Sequence, residues 1–245
     1  MRPIGFSTGA LAKGDFRRAL GIMAPFKLPA VELSALRRHE LPRLTEEAHC
    51  LDLVGYRYIS VHAPSYFLPE DEQDVVCLLA KLAARGWLIV VHPDVIFTDA
   101  LWTAFGNRLL IENSDKRKSM GRTAGELESL FGRFCEARFC FDIGHARQVD
   151  PTMNEAYLIL QQNRSRLSQI HISEVNFFSR HDPLSAAAVE ACRRIAHLIP
   201  EGVPVILETL IDHGQSTIEA EVRRAAQALS PVLPVAFPKT DPGGT

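Results

Sequence analysis

Short apolar runs alternate along the chain with longer stretches in which apolar and polar residues follow helical spacing. Most of the apolar runs are rich in Val, Ile, Leu and Phe and alternate little with polar residues, which is typical of parallel strands buried on both faces. Eight such runs are predicted to be strands: Pro3–Ser7, Ala30–Leu33, Tyr58–His62, Leu88–His92, Leu109–Glu112, Phe139–Asp142, Gln169–Ile172 and Val203–Glu208.

Helix start signals lie between these runs. Two Asp-Pro steps, Asp150-Pro151 and Asp182-Pro183, and two capping boxes, Thr123–Glu126 and Ser216–Glu219, predict where four of the helices begin. The predicted helices are Phe16–Ala24, Pro42–Leu53, Glu70–Ala84, Asp99–Phe105, Leu127–Phe134, Thr152–Arg164, Pro183–Ile199 and Glu219–Leu229.

Eight strands that alternate with eight helices predict a single α/β domain, a (β/α)₈ TIM barrel over residues 1–230. A doubly wound sheet is the main alternative, but no Gly-rich phosphate-binding fingerprint follows the first strand. Residues 231–245 are rich in Pro and Gly and are predicted to form a disordered tail.

Composition favours some classes of protein for this chain and argues against others. Hydrophobic residues make up 47% of the 245 residues and charged residues 23%, as in a soluble globular domain. The net charge of −2 supplies no basic surface for nonspecific binding of duplex DNA. No apolar run reaches the roughly 18 residues of a membrane span, and the first residues lack the apolar stretch of a signal peptide. Five cysteines without metal-finger spacing predict buried free thiols in a cytoplasmic protein.

Polar side chains end the predicted strands from the third onward. Because the carboxyl ends of barrel strands converge on one rim, these side chains are expected to meet there. Imidazoles together with carboxylates suit Zn²⁺, Mn²⁺ or Co²⁺, and also iron, better than an all-oxygen magnesium or calcium site. The candidate metal ligands are His62, His92, Glu112, Asp142, His145, His171, His181 and Glu208.

This series of strand ends resembles the xylose isomerase-like barrel superfamily, which includes sugar isomerases, epimerases and the endonuclease IV group. The resemblance covers residues 4–229 and includes an Asp-x-x-His step at Asp142 and His145. It implies four shared ligands, on the fifth to eighth strands, for one or two divalent ions. Those ligands are Glu112, Asp142, His171 and Glu208.

Three further motifs resemble the endonuclease branch. His62-Ala63-Pro64 matches its His-Ala-Pro motif, and His92-Pro93-Asp94 matches its His-Pro-Gly motif in part. Ser179-Arg180-His181 stands where that branch has Asp-Arg-His. The resemblance implies that His62, His92 and His181 are additional ligands. The departure at Ser179 favours one or two ions over three.

The resemblance implies two reactions. The first is isomerisation or epimerisation of a small sugar or sugar phosphate, a small-molecule carbohydrate partner, through an enediolate. In that reaction Glu112 and Glu208 exchange the proton and His145 orients a hydroxyl. The alternative is endonuclease IV-like cleavage of DNA at abasic sites, which implies a nucleic-acid partner. A non-catalytic metal site and a multinuclear iron oxidase also stay open. Predicted substrate-binding residues are Glu32, Lys116, Arg117, Lys118 and Arg180.

Overall fold

Eight parallel strands close into a barrel in the computed structural model, which describes residues 2–211 and 215–230. Each strand pairs with its neighbour in sequence, and the last pairs with the first, with Phe6 opposite Leu207. The predicted (β/α)₈ barrel is therefore confirmed, and the doubly wound sheet is excluded. The strands are β1 (Ile4–Ser7), β2 (Ala30–Ser34), β3 (Tyr58–His62), β4 (Leu88–Val91), β5 (Leu109–Glu112), β6 (Arg138–Asp142), β7 (Leu167–Ile172) and β8 (Val205–Leu207).

Helices surround the barrel and cover its outer face. Within the described residues they are α1 (Thr8–Ala12), α2 (Phe16–Met23), α3 (Leu41–Glu47), α4 (Glu72–Ala83), α5 (Asp99–Thr103), α6 (Ala124–Arg133), α7 (Ile143–Val149), α8 (Asn154–Asn163), α9 (Ala186–Ile195) and α10 (Gln215–Ala228). A two-stranded antiparallel ribbon, Glu174–Val175 with His181–Asp182, is inserted after β7. We call it the β7 ribbon.

The capping box at Thr123 starts α6 as predicted, since the Thr123 hydroxyl accepts a hydrogen bond from the backbone of Glu126. Both Asp-Pro predictions are wrong in position. Asp150 accepts bonds from backbone groups two and five residues later and so holds a turn before α8. Asp182 belongs to the β7 ribbon, and Ser185 caps α9 instead. The box at Ser216 is also misplaced, because α10 already begins one residue earlier.

Alternation along the strands separates two environments. Outward side chains such as Ile89, Ile111 and Phe139 pack with the helices in the main apolar core. Inward positions form a small apolar cluster of Val90, Leu110 and Cys140 with Leu88. Towards the carboxyl ends of the strands the inward positions become polar. The fold therefore gathers polar side chains inside the carboxyl end of the barrel, which we call the mouth.

Of the five free cysteines, Cys140 and Cys192 are buried, whereas Cys50, Cys77 and Cys135 are exposed. The prediction of buried thiols is therefore wrong for three of them, which lie on helices or loops outside the barrel wall. No helix in the described part of the chain is long and apolar enough to span a membrane. The predicted tail, 231–245, lies outside the described residues.

Candidate metal centre

The eight candidate ligands converge inside the carboxyl end of the barrel, as the strand order requires. They form overlapping groups in which one ligand atom from each residue lies within 4.8 Å of the others. The groups are His62, His92 and Glu112; His62, His171 and Glu208; Asp142, His145 and His181; and Glu112, Asp142, His171 and Glu208.

Glu112, at the end of β5, is fully buried at the middle of these groups. Its Oε2 lies 3.0 Å from Nε2 of His62 and 3.7 Å from Nε2 of His92. Its Oε1 lies 3.0 Å from Nδ1 of His171 and 3.6 Å from Nδ1 of His145. Each oxygen of one carboxylate therefore faces a different pair of imidazoles.

The β6–α7 corner fixes Asp142 and His145. Asp142 caps α7, because its Oδ1 accepts a hydrogen bond from the His145 backbone N–H at 2.6 Å. The Asn113 amide holds both the N–H and the C=O of Asp142 at 2.8 Å. At Gly144 a Cβ atom would lie 2.7 Å from the Ser173 carbonyl oxygen, so β7 can approach this corner closely only beside glycine.

Glu208 follows β8 and is the ligand carboxylate with access to the open mouth, with 15% of its side chain exposed. Its Oε1 lies 3.6 Å from Nδ1 of His171, and its Oε2 lies 3.4 Å from Nδ1 of His181. The β7 ribbon brings His181 to this position, where Ser173 Oγ lies 2.9 Å from the same ring nitrogen. The ribbon thus closes one side of the centre.

Burial and neighbouring charges shift the pKa values of three groups in the centre. Burial raises the pKa of Glu208 to about 8, although the neighbouring His171 opposes this shift. Burial would also raise the pKa of Glu112, but the charges of His92 and His171 hold it well below its usual range. Burial lowers the pKa of His62, and the hydrogen bond and charge of Glu112 outweigh it and raise that pKa to about 9.

An unpaired buried oxygen tests whether these residues fit a metal. Oδ2 of Asp142 has no hydrogen-bond partner among the described residues. A buried polar atom is costly unless it is hydrogen-bonded or ligated, so a cation bound beside Asp142 would relieve this oxygen. Five imidazoles with three carboxylates also form a donor set for a borderline divalent ion such as zinc, manganese, cobalt or iron. The residues fit a divalent metal.

Glu32 does not lie at the mouth, contrary to its predicted role in binding substrate. It is fully buried on β2, and its Oε2 accepts hydrogen bonds from Ser60 at 3.0 Å and Gln169 at 2.7 Å. The same oxygen lies 3.1 Å from Nε2 of His171. Glu32 therefore orients His171 from behind. Sequence reasoning missed Gln169, although its position two residues before His171 puts both on the same face of β7.

The predicted basic substrate-binding residues lie on the rim, but two of them are engaged by acids. Arg117 folds back onto Asp115, with Nη2 2.8 Å from Oδ2. Lys118 pairs with Asp94 at 2.7 Å. Asp115 lies in the same loop as Arg117, and Asp94 lies in the loop after β4. Because both cations are paired, less positive charge is left to bind a ligand.

Lys116 and Arg180 are free of such ion pairs in the described structure. The Lys116 ammonium lies 3.7 Å from the centre of the Phe177 ring, and the Arg180 side chain is exposed on the β7 ribbon. The positive charge on this side of the mouth is therefore supplied by two side chains from different loops.

No protein-family model matches this sequence, and no curated protein matches it. Solved structures do. Endonuclease IV from Thermus thermophilus is similar over 92% of this chain and 98% of its own, with 18% identity and a TM-score of 0.59.

Dihydropteroate synthase from Yersinia pestis is similar over 94% of each chain, with 12% identity and a TM-score of 0.51. A putative aldo-keto reductase from Pseudomonas aeruginosa is similar over 93% of this chain and 90% of its own, with 14% identity and a TM-score of 0.50. At these identities the common feature is the fold. The chain and endonuclease IV therefore have the same fold, and the closed barrel of eight parallel strands is what the similarity shows.

Proposed function

We propose that this chain is a divalent-metal-dependent hydrolase of a phosphate ester, with a centre for two ions that share Glu112. The observation that carries the proposal is the position of the Glu112 carboxylate between two pairs of imidazoles, one pair at each oxygen. A carboxylate in this position is suited to bridge two cations, as in two-metal phosphatases and nucleases.

The ligand groups divide between the two ions. His62, His92 and Glu112 would hold one ion, and the group with Asp142, His171 and Glu208 would hold the other, with the remaining histidines beside Asp142. Bound ions would activate water and stabilise charge on the phosphate.

The chain's own residues prepare the site for this chemistry. Glu32 fixes the His171 ring, and Glu208 lies at the mouth, where a substrate would reach it.

A small phosphate ester is favoured over DNA as the substrate. Lys116 and Arg180 supply positive charge at the mouth, which suits one phosphate group. Arg117 and Lys118 are neutralised by acids, and the net charge of the chain is −2, so no extended basic surface supports a duplex. The similarity to an endonuclease IV structure is the reason to keep abasic DNA as a test substrate.

Isomerisation or epimerisation of a sugar or sugar phosphate is the second candidate. The observation in its favour is the four-residue group of Glu112, Asp142, His171 and Glu208, whose ligand atoms could hold a single ion. Glu208 reaches the mouth, so it could exchange a proton with a bound hydroxy-carbonyl compound. This reaction gives His62 and His92 no required role.

The deciding experiment is elemental analysis of the purified protein combined with assays on an activated phosphodiester, on DNA with an abasic site and on a panel of sugar phosphates. We expect two ions per chain and phosphodiester hydrolysis. His92→Ala should lose one ion and at least about a hundredfold in rate. His197→Ala replaces an exposed histidine outside the centre and is the matched control. It should keep both ions and the wild-type rate. A single ion with full activity in His92→Ala would overturn the two-ion hydrolase, and sugar-phosphate turnover would then support the isomerase.

A further inference from the structure

Exposed large apolar side chains gather at the end of the barrel that carries the metal centre. Nine such side chains are exposed in the described part of the chain, and six of them lie in loops that follow barrel strands. Contiguous exposed apolar surface beside a polar cleft commonly marks a ligand site. The six are Tyr66, Leu68, Phe97, Phe177, Phe178 and Leu210.

The most exposed pair is Phe177 and Phe178, at the tip of the β7 ribbon. Their side chains are 76% and 74% exposed, and the rings meet edge to face with their centres 5.4 Å apart. The tip is held by hydrogen bonds, because Asn176 Oδ1 accepts the backbone N–H of Phe178 at 2.9 Å and Gln148 donates to the Asn176 carbonyl at 2.6 Å. The ribbon therefore presents two phenyl rings to water from a backbone that is held by hydrogen bonds.

This aromatic tip adjoins both the metal centre and a positive charge. His181, a candidate ligand, lies four residues after Phe177 on the same ribbon. Lys116, from the loop after β5, places its ammonium 3.7 Å from the centre of the Phe177 ring. The Gln148 side chain joins the two loops, since it accepts from the Lys116 backbone at 3.1 Å as well as donating to the ribbon. One short stretch of the mouth thus combines aromatic surface, a cation and metal ligands.

We infer that the substrate is a small phosphate ester that carries a planar ring system, as a nucleotide does. The ring stacks on one of the two phenyl rings, which stand at 88° to each other, while the phosphate lies on the side of the metal centre and Lys116. Aromatic side chains bind flat rings by stacking, with little loss of conformational freedom. Each part of such a ligand meets a suitable group: the planar ring meets the exposed phenyl rings, and the phosphate meets Lys116 and the candidate metal ligands. The inference depends on the proposed hydrolase, because that function places the phosphate.

The test compares two ligands that differ only in the ring. Affinities of adenosine 5′-monophosphate and ribose 5-phosphate for the metal-loaded protein are measured by calorimetry, so no turnover is needed. The wild-type protein should bind the nucleotide about tenfold more tightly or better. The double variant Phe177→Ala/Phe178→Ala should lose that preference, measured as the ratio of its affinities for the two ligands.

Tyr157→Ala removes an exposed aromatic ring from α8, away from the mouth, and is the matched control that should keep the preference. Equal affinities in the wild-type protein, or an unchanged preference in the double variant, would overturn the inference. Tighter binding of a single-stranded oligonucleotide than of the mononucleotide would also overturn it and assign the tip to nucleic acid. Failure of the hydrolase proposal is distinguished by the ion count and by turnover of a ring-free phosphate ester, which do not involve the tip.

Discussion

The carboxylates of Glu72 and Glu221 are as deeply buried as those of Glu112 and Asp142, but their surroundings differ. Glu72, in the first turn of α4, accepts three N–H groups at its Oε1. Two come from the backbone of the loop after β4, at 2.6 and 3.0 Å, and one from the indole of Trp102, at 2.9 Å. The charge of Glu72 is therefore compensated by donors that the fold holds in place.

Glu221, on α10, is used in the same way on the other side of the barrel. Its carboxylate accepts from the Leu184 backbone at 2.9 Å, from the Thr209 hydroxyl at 2.8 Å and from Arg224 at 2.9 Å. It thereby ties the loop that follows the β7 ribbon to the residue after Glu208. Both outer carboxylates fix the loops that surround the mouth.

Glu112 and Asp142, inside the barrel, have fewer such fixed donors, since Asp142 accepts one backbone N–H, that of His145, at its Oδ1. Glu112 faces four imidazoles, and Oδ2 of Asp142 has no hydrogen-bond partner among the described residues. The contrast separates two uses of a buried acid. Where the fold supplies N–H donors, the acid stabilises loops; where it supplies imidazoles and unpaired oxygens, the acid is prepared for a cation.

The strongest test of this contrast is Glu112→Gln, which keeps the shape of the side chain but removes its negative charge. We expect loss of bound metal and at least about a thousandfold loss of activity, with a folded barrel. Elemental analysis, kinetics and circular dichroism measure the three quantities. Retention of both ions by the variant would remove Glu112 from the centre.

Metal affinity should depend on pH, because ions and protons compete for the same atoms. The pKa values of Glu208, about 8, and His62, about 9, mean that both groups are protonated in the ion-free protein at pH 7. Affinity should rise by roughly two to three powers of ten between pH 7 and 9, because both protons must leave before the ion binds and each changes the affinity by up to about tenfold per pH unit. Calorimetry in buffers of different ionisation enthalpy counts the protons released. Affinity that is flat or falls over this range would contradict the assignment.

A smaller effect is expected at Glu32. Like the outer acids it accepts hydrogen bonds from fixed donors, and like the inner acids it contacts a candidate ligand histidine. Glu32→Gln should lower metal affinity by about tenfold, because His171 loses the carboxylate that orients its ring. Glu32→Asp should restore part of the affinity. The absorption spectrum of the cobalt-substituted protein reports the ligand geometry, which a purely structural role would leave unchanged. An unaltered spectrum and affinity in Glu32→Gln would refute the positioning role.

For the outer acids the expected change is in stability. Glu72→Gln should lower the free energy of unfolding by about 1–2 kcal/mol, because three donors then share a neutral acceptor. Thermal unfolding measures this change, and metal content should stay at the wild-type value. Loss of metal in Glu72→Gln, with its stability unchanged, would reverse the contrast between outer and inner acids.

The barrel and the convergence of the candidate ligands could be predicted from sequence because both depend on local pattern. Apolar runs define the strands, and a polar residue that ends such a run, as at Glu112, must point into the mouth. The environment of Glu32 could not be predicted, because it depends on Gln169, 137 residues away in sequence. The starts of α8 and α9 were misplaced because Asp and Pro stabilise turns as readily as they cap helices. The pairing of Arg117 and Lys118 depends on side-chain conformations that the sequence does not specify.

The smallest effect is expected for Arg117, which pairs with the buried Asp115 on the rim. Asp115 is 3% exposed and accepts the backbone and side chain of Arg117, so it resembles the outer acids and not the ligand acids. Because the Arg117 side chain is 58% exposed, its ion pair contributes at most about 1 kcal/mol. Arg117→Ala should therefore change stability only slightly and KM by less than about twofold. Lys116→Ala is the matched comparison, since its ammonium has no acidic partner in the described structure, and it should raise KM measurably. A larger KM effect for Arg117→Ala than for Lys116→Ala would show that Arg117 leaves Asp115 to bind the substrate.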